Sequence, residues 1–329
     1  MKILITGAAG YIGNKLAHTL ADSGHDVHAL VRSDAAKGLL QHPNISIFLG
    51  DILRKDDLMH AMNGCRQVYH TAALVAPWVK NTNDFYTVNV NGTANVLEVA
   101  AQTGITKTVF TSTCGVIGPS LNEPMREEDP RVTGFAIDYE LSKKMAEDIV
   151  LQYSKQGMNV VTVAPSKVYG PGNVSHALTS NAVIDKFIQK KVVFIPSPGN
   201  QKACFAFIDD VVNGHVLAME KGKAGEKYIL GGINISYRQF FQQVREVSCC
   251  GGKIISLSEK SLQAWAVLQW AKYKLTGVPP AFTPKAIKIV LSNYTFSSDK
   301  AVRELGYTIT PLQEALHNTI HFLKTPNHA

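Results

Sequence analysis

Short runs of apolar residues alternate with segments of helical periodicity through the first half of the chain. Each run has the length of a strand, and the segments between them place apolar side chains three and four residues apart. The strand candidates are KILIT (2–6), DVHALV (26–31), ISIFLG (45–50), QVYHTA (67–72), KTVFTS (107–112) and VVTVAP (160–165). This alternation predicts βαβ units on a parallel sheet with helices on both faces, which is a doubly wound α/β fold.

The pattern changes after residue 170. CFAFIDDV (204–211) predicts a further strand that leads into a helix, and helical patterns dominate from about residue 236. Strand-like pieces remain at KIISL (253–257) and YTFSS (294–298). We therefore expect a larger domain and a smaller, mostly helical one. The larger would comprise residues 1–170 and about 203–235, and the smaller about 171–202 and 236–329.

Three helical segments have apolar faces that bear on association. The helices expected to open near Asn91 and Asp138 each carry an apolar stripe, and their outer faces are candidates for pairing two copies as a homodimer. LQAWAVLQWA (262–271) is the most apolar late stretch, but it is about half of the roughly 20 residues that a bilayer span requires. It therefore predicts a buried or substrate-facing helix and no membrane span.

Composition and charge exclude several classes of protein. With 45% hydrophobic residues the 329-residue chain has ample core material, and MKILITG leaves no room for a signal peptide. The five cysteines form no CxxC pair and have no interleaved histidines, so neither a disulfide framework nor a metal site is indicated and a reducing cytoplasm is expected. The formal net charge of +7 comes from scattered lysines and arginines, which does not favour nucleic-acid binding.

A glycine-rich turn follows the first predicted strand. Gly7, Gly10 and Gly13, with Tyr11 and Ile12 between them, precede an amphipathic helix. Such a turn needs a tight bend, a backbone close to a pyrophosphate, and a helix N-terminus whose amides favour anions. The spacing is GxxGxxG rather than GxGxxG, but its place at the first strand–helix junction predicts a dinucleotide site.

The end of the second strand indicates which dinucleotide binds. Arg32 stands where a carboxylate would otherwise accept hydrogen bonds from an adenosine ribose, and it could bind a 2′-phosphate with help from Ser33 or Lys37. NADP is therefore expected, although Asp34 nearby keeps NAD possible. Asp51 and Ile52 follow the third strand and are placed to border the adenine.

Tyr139 and Lys143 are four residues apart in DYELSKKMAE and therefore share one face of a helix. A neighbouring ammonium stabilises a phenolate, so we expect the lysine to lower the tyrosine pKa. Such a pair can act as the general acid for a carbonyl that is reduced by hydride. The pair predicts a nicotinamide-dependent oxidoreductase.

Several segments together resemble the extended short-chain dehydrogenase/reductases over nearly the whole chain. These are GAAGYIG (7–13), HTAAL (70–74), NVNGTANVLEVA (89–100), FTSTCGVIG (110–118), YELSK (139–143), PSKVYGPG (165–172) and the later FIDDVVNGHVLAMEKGKAGEKYILGG (207–232). The VR that ends the second strand and the C-terminal half are most similar to the dihydroflavonol reductase-like branch. The resemblance implies a Rossmann-type cofactor domain and a smaller substrate domain.

The same resemblance implies roles for individual residues. Thr113, Tyr139 and Lys143 would be catalytic, with Ser112 as the alternative hydroxyl. Tyr139 would protonate the developing alkoxide, Thr113 would hydrogen-bond that oxygen, and Lys143 would also bind the nicotinamide ribose. Further cofactor contacts would come from Ala72, Ala73, Asn89, Pro165 and Val168.

The substrate is expected where strand ends meet the smaller domain. Leu74, Thr113, Tyr139 and Tyr169 are the predicted substrate contacts, and the segments around them also carry Val75, Trp78, Val116, Ser166 and Lys167. Where nucleotide-sugar members of the family have an arginine that binds the diphosphate, this chain has Lys202, which lacks the bidentate fork. A hydrophobic ketone or aldehyde is therefore expected.

Three functions remain open on the sequence alone. The first is an NADP-dependent carbonyl reductase or alcohol dehydrogenase. The second is a nucleotide-sugar epimerase or dehydratase that uses the same tyrosine and lysine but regenerates its cofactor in each cycle. The third is a non-catalytic dinucleotide sensor, which would have little reason to keep both Tyr139 and Lys143.

Overall fold

The structure, a computed structural model, describes residues 1–76, 78–172, 180–278, 280 and 284–325. Its strands are β1 (Lys2–Thr6), β2 (Asp26–Val31), β3 (Ile45–Leu49), β4 (Gln67–His70), β5 (Lys107–Thr111), β6 (Val160–Pro165), β7 (Lys167–Tyr169), β8 (Val193–Pro196), β9 (Lys202–Phe207), β10 (Lys227–Leu230), β11 (Ile233–Ser236) and β12 (Ile254–Leu257). Its α-helices are α1 (Tyr11–Asp22), α2 (Lys55–Met62), α3 (Asn83–Tyr86), α4 (Gly92–Gln102), α5 (Asp138–Lys155), α6 (Ser180–Ile188), α7 (Ile208–Lys221), α8 (Tyr237–Ser248), α9 (Glu259–Thr276), α10 (Pro284–Leu291), α11 (Asp299–Leu305) and α12 (Leu312–Lys324).

Seven parallel strands form the large sheet, in the order β10-β6-β5-β4-β1-β2-β3. The order reverses between β1 and β4, and in sheets of this kind ligands bind outside the carboxyl ends of the strands at that switch point. The predicted doubly wound, Rossmann-type sheet is confirmed. Its first six strands lie within the six segments identified from the sequence.

Side chains of β1 alternate between two separate cores. Ile3 and Ile5 are fully buried in a cluster that includes Leu16 of α1 and Val211 of α7. Leu4 points the other way, into a cluster with residues of α2 and α4. Because successive side chains of a strand face opposite sides, this alternation covers the sheet with a helical layer on each face.

The smaller part of the molecule contains helices and two small sheets. One sheet has the order β11-β9-β7, and the other pairs β12 with β8. The predicted segment 203–235 divides between the two parts, because α7 and β10 return to the large sheet whereas β9 and β11 belong to the small one. YTFSS, predicted to be strand-like, forms only isolated bridges, through Tyr294 and Phe296.

An aromatic cluster of the smaller part packs into the main core. Phe205 of β9 stacks on Phe240 of α8 with ring centroids 3.8 Å apart, and Tyr169 of β7 contacts both rings. All three are buried in the same continuous core as β1 and α1. The smaller part is therefore packed as an extension of the main core.

Two helical segments differ from the expectation. The helix expected to open near Asn91 starts earlier, since α3 begins at Asn83 and runs through a π-helical turn, Thr87–Asn91, into α4. The stretch LQAWAVLQWA lies in α9, but only Leu262 and Ala266 of that helix are buried. The periodicity of a sequence indicates which side chains of a helix are apolar, but it does not indicate which residues cover them. Across the described residues, no helix is both long and apolar enough to cross a bilayer.

Replacement of Phe240 by alanine tests this common core. The ring is 1% exposed, so Phe240→Ala should lower the free energy of unfolding by about 3–5 kcal/mol in urea titrations. Phe194→Ala is the matched control, because that ring is 53% exposed and its loss should cost about 1 kcal/mol or less. Equal losses in the two variants would contradict the packing described.

Candidate active site

The glycine turn between β1 and α1 is too tight for side chains. Gly7 has φ +71°, and the Gly10 amide donates to the Gly7 carbonyl over 2.9 Å. A Cβ on Gly7 would lie 2.7 Å from Ala72 Cα, and one on Gly13 would lie 2.3 Å from the Gly7 oxygen. Gly10 begins α1 without a side-chain cap. The first-turn amides can therefore meet an anion, and this cradle fits the pyrophosphate of a dinucleotide.

Tyr11 and Ile12 can contribute backbone amides to this turn. Their side chains contact other parts of the protein. The Tyr11 hydroxyl donates to the Gly170 carbonyl over 2.7 Å and accepts from the Asn181 amide at 3.2 Å. Burial raises the pKa of this phenol. Ile12 packs against the main core. Tyr11 thus ties α1 to the loop after β7, across the carboxyl edge of the sheet.

At the end of β2, the guanidinium of Arg32 is exposed. Among the described residues it makes no ion pair or hydrogen bond, whereas Lys37 and Asp34 pair with each other at 2.6 Å. Lys37 was predicted to help bind a 2′-phosphate, and Asp34 is the acid that kept NAD possible. In the structure the two side chains form an ion pair with each other. Arg32 is left as an uncompensated positive charge where the second ribose of a dinucleotide would lie.

Asp51 and Ile52 have structural contacts that sequence reasoning did not weigh. Asp51 Oδ1 accepts the Leu53 amide at 2.9 Å, and its own amide donates to Asp57 Oδ2, also at 2.9 Å. Ile52 is buried and packs so closely on Gly92 that a Cβ there would lie 2.5 Å from Ile52 Cδ1. These contacts fix the turn before α2, and contact with an adenine stays a prediction.

Asn89 holds the loop that follows β4. Its Oδ1 accepts the Leu74 amide at 2.7 Å, while its Nδ2 donates to the Leu74 carbonyl and, at 2.9 Å, to Ser142 Oγ. It is fully buried and lies inside the π-helical turn, so it neither caps a helix nor exposes its amide to a ligand. The loop with Ala72, Ala73 and Leu74 is thereby fastened to α5.

Lys143 is buried above the middle of the sheet. The side chain is 1% exposed, and its ammonium lies 4.2 Å from the centroid of the Phe110 ring. Burial lowers the pKa of Lys143 to about 7, although the carboxylate of Glu147 acts in the opposite direction. The pKa of His70 is lowered to about 3, mainly by burial and to a lesser extent by the charge of Lys143. His70 bridges Thr6 and Thr93, which fits a structural role.

Tyr139 and Thr113 meet at the carboxyl edge of β5. Both are partly exposed, and the Thr113 side chain is close enough to the phenol to lower its pKa. The Gly115 amide donates to Thr113 Oγ1 over 3.1 Å, which leaves the threonine hydroxyl proton available to a further acceptor. The structure thus brings together Thr113, Tyr139 and, one helical turn on, Lys143.

The prediction that Lys143 lowers the Tyr139 pKa was wrong for the protein by itself. Burial raises this pKa to about 12, more than the Thr113 side chain lowers it, and the charge of Glu140 raises it further. Lys143 is not among the groups that shift it, because its ammonium lies over Phe110 and is itself destabilised by burial. Tyr139 therefore holds its proton at neutral pH.

Ser112, the alternative hydroxyl, is turned into a separate buried network. Its Oγ donates to Glu147 Oε1 over 2.6 Å, and Lys227 binds the other oxygen of that carboxylate at 2.6 Å. Glu147 follows Lys143 by one helical turn, and this i, i+4 spacing is the sequence signal that could have revealed it. Ser112 is thus placed behind the site and Thr113 at its surface.

A buried ion pair beside Tyr139 was also missed. Arg131 Nη2 lies 3.0 Å from Glu140 Oε2, and the Tyr294 hydroxyl donates to Glu140 Oε1 over 3.3 Å. Arg131 also donates to the carbonyls of Gly115 and Gly134. Burial raises the pKa of Glu140 even though Arg131 lowers it. The pair fastens the 116–137 loop to α5, and loop sequence alone gave no spacing from which to find it.

The predicted substrate contacts are divided by their burial. Leu74 is partly exposed, and Val75 and Lys167 are exposed, at the carboxyl edge of the sheet. Tyr169 is 1% exposed and Val116 is 4% exposed. The Tyr169 ring is enclosed by the aromatic cluster, so it cannot reach a substrate, and that prediction is corrected. Of the predicted cofactor contacts after β5, Pro165 ends β6 and Val168 lies partly buried in β7.

Comparison with known proteins supplies a family and a fold. The model of the NAD dependent epimerase/dehydratase family matches residues 3–231. A putative dihydroflavonol 4-reductase of Synechocystis sp. is 29% identical, with 97% of this chain and 94% of that protein covered. A 3-beta-hydroxysteroid dehydrogenase of Mycolicibacterium neoaurum is 28% identical, with 93% and 86% covered.

A solved structure shares the fold over the whole length. The UDP-glucuronic acid 4-epimerase of Bacillus cereus, in complex with UDP-glucuronic acid and NAD, superposes with a TM-score of 0.79 at 24% identity. The match covers 98% of this chain and 99% of the epimerase chain. At this identity the likeness establishes the fold alone.

The glycine cradle can be tested by a single methyl group. Gly13→Ala should weaken dinucleotide binding about five- to hundredfold, because the added Cβ must displace the turn at a cost of about 1–3 kcal/mol. Gly134→Ala is the control, since its Cβ would enter open space and affinity should not change. Binding is measured by isothermal titration calorimetry on variants with unchanged circular dichroism. Unchanged affinity in Gly13→Ala would contradict dinucleotide binding at this turn.

Proposed function

Since the chain belongs to the NAD dependent epimerase/dehydratase family, we propose that it is an NADP-dependent reductase of a hydrophobic ketone or aldehyde. Its enzyme class is that of the extended short-chain dehydrogenase/reductases. The observation that carries the proposal is the juxtaposition of Thr113 and Tyr139, one helical turn from the buried Lys143. This group stands at the carboxyl edge of the sheet, as the glycine turn does.

The proposed roles follow from the state of each side chain. The nicotinamide, when bound, would supply the hydride to the carbonyl carbon. Tyr139 holds its proton and donates it to the carbonyl oxygen, while the Thr113 hydroxyl, oriented by the Gly115 amide, hydrogen-bonds that oxygen. Lys143, whose pKa is near 7, can carry a proton or release it at neutral pH and so can reprotonate the tyrosine.

The raised pKa of Tyr139 keeps the phenol in the protonated form that carbonyl reduction requires. A phenol that keeps its proton is ready to act as an acid, whereas oxidation of an alcohol would need the phenolate as a base. Burial disfavours that phenolate.

NADP is the proposed dinucleotide because of the charges after β2. Arg32 is exposed and uncompensated among the described residues, and Asp34 is held by Lys37. A guanidinium binds a 2′-phosphate bidentately, whereas a ribose hydroxyl would need a free carboxylate at this position.

A hydrophobic substrate is supported by the segment that borders the site. The loop fastened by Asn89 carries Leu74, Val75 and Trp78, and Val75 is 53% exposed. Lys202 begins β9 with an exposed side chain and is a point charge without a guanidinium fork. The relatives named above as a reductase and a hydroxysteroid dehydrogenase agree with this choice.

Assembly and location complete the proposal. On α5, Met145 and Leu151 are exposed apolar residues, so we propose that its outer face, with α4, pairs two copies as a homodimer. All five cysteines are free thiols, which supports a reducing compartment and hence the cytoplasm.

Substitutions at the hydroxyls test the assignment. Tyr139→Phe should lower kcat for NADPH-dependent carbonyl reduction by about a hundred- to ten-thousandfold without weakening NADPH binding, since it removes the proton donor. Tyr153→Phe, on the same helix, is the matched control and should retain kcat. Thr113→Val should lower kcat, whereas Ser112→Ala should affect stability more than rate. Tightly retained dinucleotide with no NADPH consumption on any ketone or aldehyde would instead favour the epimerase.

Arg32 provides a separate test of the dinucleotide. Arg32→Ala should raise the dissociation constant for NADPH about ten- to hundredfold, the value of a lost charged hydrogen bond of about 1.5–3 kcal/mol. Affinity for NADH should stay constant, and Lys37→Ala should change NADPH affinity less. Equal weakening for both dinucleotides would contradict a role at the 2′-phosphate.

A further inference from the structure

Helix α9 is apolar on two opposite faces, and only one of them is covered. Leu262 and Ala266 are buried and pack with Ile287 of α10 in a small separate cluster. The opposite face has apolar residues at positions i, i+3, i+4, i+7 and i+11, which align along one side of a helix. We call this the α9 stripe: Ala264, Val267, Leu268, Ala271 and Leu275.

The α9 stripe is exposed to an unusual degree for its composition. Val267 is 58% exposed, Leu268 67% and Leu275 87%. A helix with apolar residues on all sides is normally buried, and a contiguous exposed apolar patch marks a contact surface. Val278, just beyond the helix, extends the apolar surface at 52% exposure.

Lysines border the α9 stripe. At 100° per residue, Lys272 lies along one edge of the stripe and Lys274 along the other, with Lys260 near its N-terminal end. All three are exposed, and none has an ion-pair partner in the part of the chain that the structure describes. The acid of α9, Glu259, lies at its first residue and accepts a hydrogen bond from Gln263. The rim of the stripe is therefore cationic.

The C-terminal end of α9 adjoins the loop beside the active site. The Trp78 ring meets the Tyr273 ring edge-on with centroids 4.6 Å apart. Trp78, Lys80, Tyr273 and Lys274 line an open hollow of about 500 Å³. Trp78 follows Leu74 in the loop that Asn89 fastens, so this end of α9 lies next to the loop proposed to meet the substrate.

We propose that the α9 stripe docks this helix flat on an anionic lipid surface. Aliphatic side chains on a convex helix face suit the plane between headgroups and acyl chains, and flanking lysines suit anionic headgroups. A second copy is a poorer occupant, because two-fold pairing through the stripe sets the same lysine rims against each other. The docking does not depend on the proposed activity. If the protein has the proposed function, a consequence of docking is that the enzyme takes its hydrophobic carbonyl substrate from the bilayer. This consequence, unlike the docking, rests on the proposed function.

Vesicle sedimentation tests the proposal on the full chain. The protein should sediment with vesicles of equal parts phosphatidylcholine and phosphatidylglycerol and stay in solution with phosphatidylcholine alone. Leu268→Gln combined with Leu275→Gln should weaken binding about tenfold or more. Lys272→Gln combined with Lys274→Gln should weaken it about fivefold per lysine. Sedimentation requires no turnover, so the test is independent of the proposed reaction, and NADPH-dependent turnover of a water-soluble carbonyl should be unchanged in both variants.

A matched pair of substitutions serves as the control. Val192→Gln combined with Val302→Gln removes two exposed apolar side chains from other surfaces and should leave vesicle binding intact. The proposal is overturned if the unaltered protein ignores anionic vesicles, or if the control variant loses binding equally. It is also overturned if analytical ultracentrifugation shows self-association that the leucine variant abolishes while no vesicle binding occurs, since the stripe would then pair copies of the chain.

Discussion

Removal of Lys143 from water is the constraint on which the rest of the site depends. An ammonium at 1% exposure is costly, and here it is met by the face of Phe110 and, one helical turn away, by the carboxylate of Glu147. The result is a lysine that titrates near neutral pH beside a tyrosine that does not. In the proposed mechanism, this separation of pKa values makes Tyr139 the proton donor and Lys143 the group that resupplies its proton.

Rigid contacts around this pair position it against the glycine turn. Asn89 joins the loop after β4 to α5, Tyr11 joins α1 to the loop after β7, and the pair of Arg131 and Glu140 holds the loop after β5. Each connects a loop or helix that follows a strand to a neighbouring element. Because the carboxyl ends of parallel strands share one edge, these contacts bring separate segments to a common cleft.

The spacing of residues in the sequence predicted the features that depend only on residues close together in the chain. The first six strands, the glycine turn and the Tyr139–Lys143 face followed from periodicity and position. Burial did not, because it depends on distant segments. Tyr169 lies among Phe205, Phe207 and Phe240, all far along the chain, and the pKa of Tyr139 is set by the protein that surrounds it. In α9 the apolar stretch predicted a buried or substrate-facing helix, and only the structure showed that most of its side chains are open to solvent.

The most direct measurement is the titration of the Lys143 ammonium by heteronuclear NMR in the dinucleotide-free protein, with the resonance assigned through Lys143→Met. The account predicts a midpoint near pH 7, because burial destabilises the charged form. A midpoint near the ordinary lysine value of about 10.4 would contradict it, since the ammonium would then be solvated and not destabilised by burial.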